Sequence, residues 1–79
     1  MTQWQRLGEQ IRILRERRGL TREQLAEQTG LSAVYVKKLE AGERKSPSLP
    51  TLQRIAQALR ATFVIKLVER RPRRPRRRR

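Results

Sequence analysis

The stretch from Thr21 to Glu40, TREQLAEQTGLSAVYVKKLE, constrains the fold more tightly than any other part of the chain. Leu25 and Ala26 fall on one face of a first helix, Gly30 follows four residues after Ala26, and Val36 and Leu39 stand one helical step apart on a second. A methyl-sized side chain at Ala26 lets the second helix come close, and Gly30 can take the positive φ that a sharp turn needs. Leu31, Val36 and Leu39 then fill the angle between the two helices. Thr21 with Gln24 matches a capping box that opens the first helix, and Ser32 caps the second.

The remaining elements are placed around this corner by their period. From Thr2 to about Arg18, Trp4, Leu7, Ile11 and Leu14 recur at three and four residues, the apolar stripe of an amphipathic helix that Gly19 ends, with Ile13 off the stripe. Gly8 inside that helix costs about 1 kcal/mol against alanine, so it marks either a close backbone approach or a tolerated weakness. Gly42 supplies a left-handed stop to the second motif helix, and GERKSPS forms a polar, basic loop before Ser48 caps another helix carrying Leu52, Ile55, Ala56 and Leu59. Pro50 falls in the first turn of that helix, where a missing N–H has no partner to lose.

Residues Ala61 to Glu69, ATFVIKLVE, change character, because Thr62, Val64, Ile65 and Val68 are β-branched and Phe63, Ile65 and Leu67 alternate with their neighbours. This favours a strand, with a fifth helix as the alternative. A lone strand needs a partner, and the same strand of a second copy would supply one across a twofold axis, making Phe63, Val64, Ile65 and Leu67 dimerisation residues. Alternatively the segment packs on Ile13 and Trp4 within one monomer. The expected fold is mainly all-α, a four- to five-helix bundle with a C-terminal β-strand, divided into residues 1–60, a pairing segment 61–69 and a disordered tail 70–79.

Over roughly Leu7 to Leu59 the pattern resembles the DNA-binding helix-turn-helix of the phage repressor and Cro family, a large group of small bacterial and phage regulators. The resemblance implies that the second motif helix, Ser32 to about Ala41, lies in the major groove with its N-terminal residues toward base edges. Carried over by position, the base-facing residues are Ala33, Val34 and Lys38, with Lys37 close by. An ammonium at Lys38 can donate to guanine O6 or N7, whereas Ala33 and Val34 offer only apolar contact, such as to a thymine methyl. Relatives often carry Gln, Arg or Ser at these places, so the apolar pair departs from the family pattern. The plainer reading of Lys37 and Lys38 is a solvated face that touches phosphate at most.

Phosphate contacts implied by the same resemblance fall on Arg22 at the first turn of the earlier motif helix, on Arg44 and Lys45 in the loop, and on the hydroxyls of Ser32 and Tyr35. Each is equally readable as an ordinary surface residue. Arg15 and Glu40 match a pair that is salt-bridged in the family, locking the first helix to the reading helix, and are expected to be structural.

Composition narrows the function. The chain holds 21 Lys and Arg against 7 acidic residues, a net charge of +14, and eight of those arginines lie in the tail RRPRRPRRRR from Arg70 to Arg79. The body is therefore basic without its tail, and double-stranded DNA or another polyanion is the natural partner, bound with a steep dependence on salt. An anionic membrane fits less well, since no helix joins a basic face to a broad exposed aromatic one. The tail cannot bury apolar surface; it adds electrostatic grip on DNA, suits RNA equally well, or merely solubilises.

There is no His, Cys, Asp or Asn, which removes the usual metal-ligand clusters and any imidazole-activated nucleophile, so neither enzyme activity nor a metal or other cofactor is expected. Glu9, Glu16, Glu23, Glu27 and Glu43 interleave with basic residues at helical spacing and read as an ion-paired, solvated face. Without an apolar run near a membrane span, or an apolar secretion signal, the expected location is cytoplasmic. A core this modest makes dimerisation an attractive supplement. These readings together predict a homodimeric, sequence-specific repressor that occupies a pseudo-palindromic operator, repression being expected from the small size. The alternatives are an antitoxin whose main task is to bind a partner protein, with autoregulatory DNA binding, or a non-specific nucleic-acid-binding protein.

Overall fold

Each helix begins where a side-chain oxygen takes up backbone N–H groups that lack an intrahelical acceptor. The structure, a computed structural model, describes residues 2–44, 46–62 and 64. It contains, among these, α1 (Gln3–Arg17), α2 (Arg22–Thr29), α3 (Ala33–Glu40) and α4 (Leu49–Ala58). The Thr21 hydroxyl accepts the Gln24 N–H at 3.0 Å while the Gln24 side-chain oxygen accepts the Thr21 N–H at 2.8 Å, the reciprocal box expected for α2. Thr2 and Gln5 form the same box, so Thr2 stands just outside α1 as its cap rather than opening the helix itself. Ser32 and Ser48 cap α3 and α4, accepting the N–H groups of Tyr35 at 3.0 Å and Thr51 at 3.3 Å. Pro50 lies in the first turn of α4.

The stops are as specific as the starts. Gly30 adopts φ +75 and turns the chain out of α2, with the Leu31 N–H donating to the Ala26 carbonyl at 3.0 Å. This left-handed corner, which a side chain would strain, sets α3 against α2. Helix α4 ends without a glycine: Arg60 takes φ +54, and the Ala61 N–H closes back on the Ala56 carbonyl at 2.8 Å. Arg18, just past α1, reaches this end and donates through Nε to the Leu59 carbonyl at 2.9 Å.

Ile11, Leu25, Ala26, Val36, Leu39, Ile55 and Leu59 form one buried cluster, and Leu25, Val36, Leu39 and Leu59 are essentially sealed from solvent. Leu7, Leu14, Leu20 and Leu31 close over it from the edges. Helix α3 packs against both α1 and α2, and α2 packs against α4, so the reading helix of the motif is held from behind by two elements. Gly8 explains how α1 gets so near. A Cβ built at Gly8 would lie 2.5 Å from the Glu40 carbonyl oxygen and closer still to that of Leu39, distances no real side chain tolerates. The close-approach reading of this glycine therefore holds, and α1 crosses directly over the end of α3.

Among the described residues there is no strand; Ala61, Thr62 and Val64 belong to neither helix nor strand, and Val64 is exposed. Lys45, Phe63, Ile65, Leu67 and the arginine tail lie outside the described residues, and with them most of the expected pairing segment. No helix among the described residues is long and apolar enough to cross a membrane.

Candidate nucleic-acid interface

Helix α3 has two unlike faces. Val36 and Leu39 are 0% and 1% exposed and Glu40 is buried with them, whereas Val34, at 62%, stands open to solvent beside Lys37, Lys38 and Ala41. Positions 34, 37, 38 and 41 recur at three and four residues, so they share one outward stripe. Together with Glu43 they line a shallow recess on the surface. The structure thus brings Val34, Lys37 and Lys38 onto one exposed face. It places Ala33 differently: this residue is half-buried and packs against the core cluster, at the margin of that face.

The described residues among the expected phosphate-contacting groups are held by different devices. Ser32 uses its oxygen to accept the Tyr35 N–H, which leaves its O–H free to donate outward. Tyr35 packs partly on the core, and the Arg44 guanidinium lies over its ring at 4.8 Å from the centroid. Such a cation–π contact, on the order of 0.5–1 kcal/mol at an exposed site, steadies a loop arginine without consuming its N–H donors.

Beneath this surface sits a buried charge cluster. The Glu40 carboxylate, 1% exposed, accepts Arg15 Nε at 2.6 Å and a terminal Arg15 nitrogen at 3.2 Å. Arg15 completes its bonding by donating to the Leu20 carbonyl at 2.8 Å. The hydrogen bond to Glu40 is the main reason the Arg15 pKa is raised above the ordinary arginine value, burial working against it. The expected lock between the first helix and the reading helix is therefore present, and it is fully hydrogen-bonded, which a buried ion pair requires to avoid a large desolvation cost. No buried side-chain nitrogen or oxygen is left unsatisfied among the described residues.

Arg22 joins the same carboxylate. Its Nε donates to Glu40 Oε1 at 3.1 Å, although its side chain remains 41% exposed. The sequence reading treated Arg22 as a surface residue aimed at phosphate and missed this inward bond. It also missed Arg18, whose two bonds, to the carbonyls of Leu59 and, at 3.4 Å, Arg60, tie α1 to the end of α4. The only available signal was a cation near a helix end, and nothing in the linear sequence says which end it will meet. On the exposed side of α1, Arg12 pairs with Glu16 at 3.1 Å and lies 3.9 Å from Glu9, the solvated ion-paired face expected for those glutamates.

The helix-turn-helix domain family matches residues 6–64. The chain is 43% identical over 56 residues to the HTH-type transcriptional repressor RghR of Bacillus subtilis (strain 168), covering 71% of this chain and 42% of that protein. It is also 43% identical over 53 residues to the immunity repressor protein of Bacillus phage phi105, covering 67% of this chain and 36% of the other. It therefore spans only about two fifths of the length of these two regulators. Among solved structures, the restriction-modification controller protein C.AhdI from Aeromonas hydrophila superposes with a TM-score of 0.71 at 36% identity, covering 75% of this chain and 88% of that one. A turn at Gly30, two capped helices with one outward stripe and these relatives agree: the chain belongs to the helix-turn-helix family of the phage repressor and Cro type.

Proposed function

We propose that this chain is a sequence-specific, DNA-binding transcription regulator that acts as a homodimeric repressor on a pseudo-palindromic operator. The observation that carries this reading is the division of α3, whose rear is sealed into the core while Val34, Lys37 and Lys38 face outward. A rigidly backed helix with an exposed stripe is what major-groove reading requires. Relatives named as a transcriptional repressor and an immunity repressor support the regulatory role. Lys38 reads a guanine, Val34 meets a thymine methyl, Lys37 and Ala33 flank them, and Arg22, Ser32, Tyr35, Arg44 and Lys45 hold the backbone. The Phe63, Val64, Ile65 and Leu67 segment joins two copies, and the arginine tail adds affinity for any sequence.

Selection of bound duplexes from a random pool tests the whole reading, because it returns site, symmetry and half-site spacing together. A symmetric site with half-sites about one helical turn apart is expected. Lys38→Ala should then lose about 1–3 kcal/mol at one base position of that site. A pool without a favoured sequence refutes the reading, and unchanged site preference in Lys38→Ala refutes the assignment of Lys38. Light scattering that finds a monomer at tens of micromolar removes the dimer.

A further inference from the structure

Arg22 occupies an unusual position: a half-exposed cation with one nitrogen fixed to a buried anion that already has a full partner. Arg15 gives Glu40 two hydrogen bonds and the Leu20 carbonyl a third, and it also lies 3.9 Å from the Glu16 carboxylate, its side chain only 9% exposed. The second guanidinium on the same carboxylate is that of Arg22, the more solvent-exposed of the two. Only Nε of Arg22 is bonded to Glu40. A guanidinium is a planar fork of five donors, so fixing Nε fixes the direction of the two terminal nitrogens as well.

We propose that Glu40 is a positioning residue for DNA binding, which it serves by clamping Arg22 so that its terminal nitrogens meet one backbone phosphate as a pair. This rests on the DNA-binding reading above and deepens it. Glu40 is the last residue of α3, while Arg22 is the first of α2. One carboxylate thus ties the phosphate contact at the head of α2 to the foot of the reading helix, and the two must engage a duplex in one fixed register. A free lysine or arginine at the surface would supply charge without direction. The clamped fork supplies both, because bidentate charge-assisted bonds depend on geometry.

The decisive comparison is Arg22→Lys against Arg22→Ala, titrated with the selected operator and with scrambled duplex over a range of salt. Arg15 still satisfies Glu40 in both variants, so both should keep the fold, checked by thermal melting. An ammonium has a single nitrogen and cannot bond Glu40 and grip a phosphate with two parallel bonds. Arg22→Lys should therefore fall with Arg22→Ala, each losing on the order of tenfold in affinity for either duplex, with base preference intact. The clamp is refuted if Arg22→Lys binds as tightly as the native chain, because charge alone would then suffice. Glu40→Gln provides the second arm: it should weaken operator binding in the native background and much less when Arg22 is already Ala. Equal loss in both backgrounds assigns Glu40 to fold maintenance and overturns the proposal. Should Glu40→Gln fail to fold, Glu40→Asp, which keeps the charge but shortens its reach, is compared in the same two backgrounds with the same two outcomes. Failure of the underlying reading looks different, since the native chain would then show no preference for any duplex.

Discussion

Gly8→Ala sets two known effects against each other and the structure decides between them. In an exposed helix, alanine stabilises by about 1 kcal/mol relative to glycine. At position 8, however, the added methyl would meet the backbone of Leu39 and Glu40, with the Glu40 carbonyl carbon at 2.8 Å and its oxygen at 2.5 Å. Ordinary contact lies beyond 3.4 Å, so α1 and α3 must part by roughly an ångström. Backbone atoms at the end of a packed helix cannot swing aside as a flexible side chain can. Parting the helices loosens Val36 and Leu39 and stretches the Arg15–Glu40 pair, whose shortest bond is 2.6 Å. Overpacking of this kind costs about 1–3 kcal/mol, and strain on a buried ion pair adds to it, so a net loss of about 1–2 kcal/mol is expected after the helix gain of about 1 kcal/mol is subtracted. For a domain of this size each kcal/mol moves the midpoint by about 4–8 °C, so melting should fall by about 5–15 °C. Thermal unfolding followed by circular dichroism measures it, and the single Trp4, at the start of α1, offers an independent fluorescence probe. An unchanged or raised midpoint would refute the argument that the backbones of α1 and α3 meet at Gly8.

Two further expectations concern the ends of the molecule. Arg60 holds φ +54 without being glycine, so Arg60→Gly should stabilise the domain by up to about 1 kcal/mol, the relief of left-handed strain exceeding the added freedom of the unfolded chain; urea denaturation would read it, and a loss of stability would contradict it. Removing Arg70 to Arg79 should weaken binding to operator and scrambled duplex alike and flatten the dependence of affinity on salt, measured by titration at several ionic strengths, whereas a selective loss at the operator would show that the tail reads sequence.

What could be read from sequence was local. Leu25, Ala26, Gly30, Val36 and Leu39 lie within fifteen residues, so their periodicity and the glycine corner determine the motif without help from distant parts of the chain. The cap at Ser32 and the box at Thr21 work over three residues and are equally legible. Thr2 and Gln5 carry the same spacing, yet the apolar stripe by itself sets the start at Thr2, one residue early. Long-range polar contacts were a different matter. Arg15 and Glu40 are 25 residues apart and were paired only through the family resemblance. The inward bond of Arg22, the reach of Arg18 to α4 and the stacking of Arg44 on Tyr35 depend on where another element happens to pass, which a flexible guanidinium does not encode. Ala33 is placed at the base-facing end by position in the family pattern, and its half-burial against the core cluster is not visible in that pattern. The left-handed Arg60 had no residue-type signal at all.

The two-faced construction of α3 also separates what can vary from what cannot. Its inward residues are buried and Gly8 leaves no room behind them, so packing against α1 and α2 sets the axis of the helix. Val34, Lys37 and Lys38 touch little of this frame, and exchanging them should alter the preferred duplex while leaving melting nearly untouched. Descendants of such a chain could acquire new targets by rewriting a few solvent-facing letters, with no need to rebuild the scaffold that presents them.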